Sequence, residues 1–236
     1  MINLIKKLIF LGFLTLLALP VWAFSSSSFL ISQSAFKNFD YSKSLDSFNS
    51  NEFKFSNENL LDKIIAAIIT EDLTLANKIA SKIILDDPQN QEAYTVKLIY
   101  LHKNNKTKQI KDIQNRTKDK NELIDFIFFN DDEIKDSTTI SKSLIDIVVS
   151  SFSNTDTNTL NYNFLLFYTS LAKIIDNQND RATLIKGELF QNIKEDKQAK
   201  DIFETIKPDS QYYLEAQRSL AVNYSNFYPY DEAVTK

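Results

Sequence analysis

The 236-residue sequence predicts an all-α protein, a right-handed superhelical solenoid of antiparallel helix pairs with divergent central hairpins. Three observations lead there. Past residue 23 the chain carries one glycine, Gly187, and three prolines, Pro88, Pro208 and Pro229, too few turn formers for a sheet protein of this size. Its apolar residues recur at steps of three and four, the period of a helix with one buried face. The C-terminal third also repeats itself at 34 residues, Gly187, Phe190 and Ala199 being answered by Ala221, Tyr224 and Ala233. A period of that length belongs to helical hairpins stacked one on the next.

The first 23 residues stand apart from the fold. Lys6 and Lys7 precede a nearly unbroken apolar run from Leu8 to Leu19, Pro20 breaks it, and Val21-Trp22-Ala23 places small residues where a signal peptidase reads. This pattern predicts an export signal, residues 1–23, cleaved after Ala23. The alternative is an uncleaved anchor, for which Leu8 to Phe24 is short against the roughly 20 residues of a membrane span. The expected location is the periplasm or the exterior of a bacterial cell, or the inner membrane facing the periplasm if the anchor is retained. Any membrane contact would run through that segment. The chain has no cysteine, so an exported fold must hold by packing without disulfides. Without Lys6 and Lys7, 25 basic residues face 31 acidic ones, a net charge of −6 that disfavours nucleic acid.

Residues 24–236 read as one helical repeat domain. Ser32, Ala35, Ser44 and Phe48 flank a turn at Asn38-Phe39-Asp40-Tyr41. Leu60, Leu61, Ile64, Ile65, Ile68 and Ile69 form one apolar stripe, and Leu75, Ile79, Ile83 and Ile84 a second, with Ala76 and Ala80 as small contacts. Pro88 stops that helix, and Ala93-Tyr94 opens the next. Asn121 to Phe129, Ile140 to Phe152 and Leu160 to Ile175 read as further helices, less regular in spacing. The tract from Ser153 to Thr159 is either a loop or the cap of the helix after it. At the end, Tyr230-Asp231-Glu232-Ala233 opens a second helix that Lys236 cuts after about one turn, so the last repeat is expected to be incomplete.

The segment 57–90 resembles a tetratricopeptide repeat, with Leu60, Ile64, Ala67, Ala76, Ala80 and Pro88 at the family's large and small packing positions. The segment 180–213 is similar through Gly187, Phe190, Ala199, Phe203 and Ile206, and the chain from Leu214 through Leu220, Ala221, Tyr224 and Ala233. The copy after Pro88 departs from the pattern, with Ile110 where alanine is expected and Gln114 in place of an apolar residue. The resemblance implies an interaction scaffold or peptide-binding module of the cell envelope, with another protein or a peptide segment as partner. It implies that the first helix of each pair lines an inner groove. On this chain those positions are Arg181, Leu184, Glu188, Gln191 and Asn192, then Glu215, Arg218, Val222, Ser225 and Asn226. Such a groove is polar, with two arginines suited to a carboxylate or a peptide backbone. In the segment 57–90 the equivalent positions are Glu58, Leu61, Ile65, Ile68 and Ile69. So apolar a groove calls for another helix to cover it, from the chain's own N-terminal segment or from a partner.

Nothing in the sequence assembles a reaction centre, a cofactor site or a metal site. His102 is the one histidine and lacks imidazole or thiolate company for a metal; beside Lys103 and Asn104 it reads as a surface residue near a helix end. Asp86-Asp87 fits a turn before Pro88, and Asp131-Asp132-Glu133 a solvated loop, neither with the spacing of a calcium loop. The chain is therefore read as a non-enzyme. The alternatives are a helical envelope enzyme acting on cell-wall glycan, or the interaction arm of a longer enzyme.

Overall fold

The computed structural model describes residues 27–49, 57–117, 121–131, 133–154 and 160–227. Among them are twelve helices: α1 (27–37), α2 (Tyr41–Asn49), α3 (Asn57–Ile69), α4 (Leu73–Asp86), α5 (Gln91–Lys103), α6 (Thr107–Thr117), α7 (Glu122–Phe128), α8 (Ser137–Asn154), α9 (Tyr162–Ile175), α10 (Asp180–Asn192), α11 (Asp196–Phe203) and α12 (Tyr213–Phe227). The strands β1 (Phe129–Asn130) and β2 (Glu133–Ile134) form a minimal hairpin between α7 and α8. It falls on the stretch expected to be a solvated loop; Asp131, at φ 53°, makes the turn. The proposed signal segment and the stretch from Tyr230 lie outside the described residues.

The architecture is an all-α solenoid of paired helices. Consecutive helices pack as α3 on α4, α5 on α6, α8 on α9 and α10 on α11, and each pair leans on the next through α4–α5, α9–α10 and α11–α12. The repeat is written in the backbone as well as in the side chains. Four hairpins turn through one residue in the left-handed region: Phe39, Glu71, Asn105 and Lys194, with φ between 54° and 67°. In each, the next amide donates back to a carbonyl five residues earlier: Asp40 to Ala35, Asp72 to Ala67, Lys106 to Leu101 and Glu195 to Phe190, all at 2.8–2.9 Å. This closes the free carbonyls of one helix end and aims the chain into the next helix. None of the four turn residues is glycine, so glycine does not mark the regularity in the sequence.

A second regularity has an offset of 89 residues. The caps Asp72 and Asn161 each accept from the amide three residues on, at 2.9 and 3.2 Å. Eighteen residues further along, Asn90 and Asn179 do the same toward Ala93 and Ala182, at 2.9 and 3.0 Å. Between them, Asp87 and Asp176 each accept from the amide two residues on, at 3.1 Å. The left-handed residues Asn105 and Lys194 continue the match. So α4–α5–α6 and α9–α10–α11 are copies of one unit, and α9 is the second helix of a pair whose first is α8. The intervening α7 and its strand hairpin displace the 34-residue period, which is why the period blurs through the middle of the sequence.

The stack also folds onto itself. Helix α9 packs against α3 and α5 as well as against its neighbours α8 and α10. Eight consecutive residues, Leu165 to Ala172, are buried, more than two turns, so over that stretch no face of α9 reaches water. Tyr168 lies beside Thr95 and Glu92 of α5, and burial pushes its phenol well above the usual tyrosine range. At the rim the Tyr41 hydroxyl donates to Asn163 at 2.7 Å, joining α2 to α9. The apolar stripe of α3 is covered as expected, with Ile68 and Ile69 buried. Its cover includes the chain's own α9, which sequence reasoning had not named as a candidate.

Gly187 sits where α10 meets α11. A Cβ there would lie 2.4 Å from Cε1 of Phe203, a fully buried ring that cannot swing aside without disturbing its neighbours. Gly187→Ala should therefore destabilise the fold by about 1–3 kcal/mol despite alanine's better helix propensity. Urea titration measures this. Phe203→Leu in the same chain should recover part of the loss, and an unchanged midpoint for Gly187→Ala would contradict the packing described.

Candidate binding groove

The first helices of the last three pairs, α8, α10 and α12, share one face. Along α8 the lining residues are Thr138, Lys142, Ile145, Val149 and Phe152, and along α10 they are Arg181, Ile185, Glu188 and Asn192. Steps of three and four place each set on a single helix stripe. The groove so formed holds two cavities, of about 490 and 430 Å³. The first ends at Ser210, Gln211 and Tyr212 before α12; Ser219 of α12 walls the second, where the Gln191 side-chain amide donates to the Ser219 carbonyl at 3.4 Å. Val149 and Phe152 are each 36 % exposed, so the groove shows apolar surface to solvent.

Of the residues expected to line a groove, Glu188, Gln191 and Asn192 do so together. Arg181 lines the other cavity, with Lys142, Asp176 and Asp180. Leu184, expected on the groove, is instead buried at 4 %, because α10 is covered on that side by its neighbours. On α12, Glu215, Arg218, Val222 and Ser225 are exposed, and Ser225 donates to the Val222 carbonyl at 2.6 Å. The side chain of Asn226 lies outside the described residues. Sequence reasoning missed the contribution of α8, although Ile145, Val149 and Phe152 follow a helix stripe. The resemblance did not reach the 137–154 segment, so α8 had no register.

Glu188 is half-buried. Burial raises its carboxyl above the usual range, and Glu215 raises it further by repulsion. His102 stands away from the groove, where its Nε2 lies 3.2 Å from the Lys135 carbonyl and ties the end of α5 to the segment after β2. Among the described residues no group of three or more histidine, cysteine or acidic side chains is placed to hold a metal ion. Among them, too, no helix is long and apolar enough to cross a membrane.

A second cleft, of about 540 Å³, lies where the α3–α4 turn meets α9, α10 and α11. Its walls mix Lys173, Lys186 and Lys207 with Glu71, Asp180, Asp201 and Asp209. Lys186 is 7 % exposed, and its Nζ reaches Glu71 at 3.2 Å, across 115 residues of sequence. The left-handed backbone at Glu71 is part of the turn that delivers this carboxylate. Burial lowers the Lys186 pKa, and Glu71 opposes that shift.

No protein-family model matches the chain. No curated protein sequence matches it either. Among solved structures it is similar to a chain described as MamA MSR-1 C2, at 13 % identity and a TM-score of 0.29, over 89 % of this chain and 91 % of that one. A likeness at that level carries no argument about function. The fold class rests on the helix pairing and repeated turns described above, and it is that of an all-α solenoid of paired helices.

The Lys186–Glu71 pair makes a signed prediction. Glu71 is largely exposed, so Glu71→Gln should cost about 1 kcal/mol through the lysine it leaves unpaired. Lys186→Met should be neutral or stabilising by up to about 2 kcal/mol, because a buried charge is replaced by apolar volume. Since the folded-state pKa of Lys186 is depressed, stability due to this group rises as pH climbs toward the ordinary lysine value. The advantage of Lys186→Met should therefore shrink between neutral pH and pH about 10. Parallel urea titrations across that range test it; a gap that widens with pH would refute the assignment.

Proposed function

We propose that this protein is a non-catalytic interaction module of the bacterial cell envelope, binding a peptide segment of another protein in the groove between α8, α10 and α12. The observation that carries the reading is a contrast between two grooves. The one on α3 and α5 is occupied by the chain's own α9. The one on α8, α10 and α12 keeps cavities of about 490 and 430 Å³ with apolar side chains exposed in it. Two or three first helices side by side give a concave surface about as long as a short extended peptide. The amides of Gln191 and Asn192 can meet a peptide backbone there.

A photo-reactive amino acid at Ser219 should give discrete crosslinked species in the native envelope. The same probe at exposed Asp112 on α6, away from the groove, should not. Equal patterns from both positions would count against the groove. The proposed destination has its own check, which is N-terminal sequencing of the protein recovered from the periplasm. A start at Phe24 supports the export signal, and a cytoplasmic product retaining Met1 would exclude it.

A further inference from the structure

The charges of the open groove are unevenly matched along its length. At one end, Lys142 and Arg181 share the walls with Asp176 and Asp180, so opposite charges are present in equal number. At the other, Glu188 is the one charged side chain on the lining among the described residues. Glu215 on α12 adds repulsion there rather than relief. Among the described residues neither glutamate forms an ion pair; the cations that do, Lys186 and Lys200, pair with Glu71 and Glu204. Beside Glu188 lie Ile185, Val149 and Phe152, an apolar floor partly open to water.

We infer that the groove takes an extended partner segment carrying a lysine or arginine next to large apolar side chains, with the cation at Glu188 and Glu215 and the apolar groups on Ile185, Val149 and Phe152. The inference rests on the peptide-binding reading above and adds the ligand's chemistry. A half-buried carboxylate repelled by a second one gains most from a cation that arrives desolvated, with hydrogen bonds to offer. Lysine and arginine suit the floor as well, because their aliphatic stems lie along apolar surface while the charged head stays at the rim. The geometry sets the ligand's spacing. Glu188 and Ile185 are three residues apart on α10, about 4.5 Å of helix rise. In an extended chain alternate side chains share a face about 6.6 Å apart, the shortest same-face spacing it offers, so the cationic and apolar anchors stand two positions apart. This differs from the expectation from the sequence, where Arg181 and Arg218 suited a carboxylate or a peptide backbone. Arg181 shares its cavity with Asp176 and Asp180; Arg218, like Glu215, lines neither cavity, and Glu215 enters through its repulsion of Glu188.

Fluorescence anisotropy on the full chain tests this with three end-blocked ten-residue peptides in which every second residue is serine and the positions between alternate leucine with lysine, with serine or with glutamate. The leucine–lysine peptide should bind about tenfold tighter than the leucine–serine one, an advantage that shrinks in high salt. The leucine–glutamate peptide should be weakest. Glu188→Gln should remove most of the advantage, and Glu188→Lys with Glu215→Lys should transfer it to the glutamate peptide. Reversing exposed Asp86 and Asp112, far from the groove, controls for the chain's overall acidity and should leave the preference in place. Circular dichroism confirms that each variant is folded. If serine or glutamate peptides bind the unaltered chain as tightly as lysine ones, the charge assignment falls while the peptide-binding reading stands. The assignment also falls if the distant reversals act as strongly as the groove ones. If no peptide binds the folded chain, both fall.

Discussion

The burial of α9 against α3 and α5 is the constraint on which the rest of this structure depends. A stack of helical pairs ordinarily leaves the inner faces of its first helices open. Here α3 brings Ile64, Ile65, Ile68 and Ile69, a surface too apolar to stay wet. Helix α9 answers it with Phe167, Tyr168 and Leu171, with no polar face to keep in solvent. Phe167 and Tyr168 meet edge to face at 5.1 Å, and Phe164 packs on Tyr168 at 4.5 Å, arrangements that favour one docking geometry over many. With the N-terminal groove filled from within, the groove on α8, α10 and α12 stays open among the described residues.

The helices and their pairing were legible in the sequence because they rest on local signals: apolar steps of three and four, small residues at helix crossings, and Pro88 as a stop. The registration of the middle was not. It is set by Asp72, Asn90, Asn161 and Asn179 acting as caps, and asparagine in so asparagine-rich a chain carries little signal on its own. The caps become readable once the 89-residue offset lines them up. Asn179 does double duty, accepting from Ala182 and donating to the Ser141 hydroxyl at 2.7 Å, so it fixes α8, α9 and α10 together.

The site was half legible. Carrying the repeat register onto α10 placed Glu188, Gln191 and Asn192 in one cavity, because a helix stripe follows from sequence spacing alone. It failed where tertiary surroundings decide. Leu184 is covered by neighbouring helices, and Arg181 shares its cavity with Asp176 from the turn before α10 and Asp180 at the start of that helix. Phe152 and Val149 entered from a helix the repeat pattern did not reach. The charge preference of a groove depends on which ionic groups are already satisfied, and a single sequence does not show that.

The Lys186–Glu71 and Tyr41–Asn163 contacts span 115 and 122 residues. In a simple solenoid each repeat touches its neighbours alone, so stability is a nearest-neighbour sum and the ends can unravel independently. Contacts of this reach change the statistics: closing them costs loop entropy once, and thereafter they couple α2 to α9 and the α3–α4 turn to α10. The price is kinetic, because the rate of reaching the native state falls as contacts lengthen in sequence. A chain built from a one-dimensional repeat has in this way gained couplings that a nearest-neighbour sum leaves out.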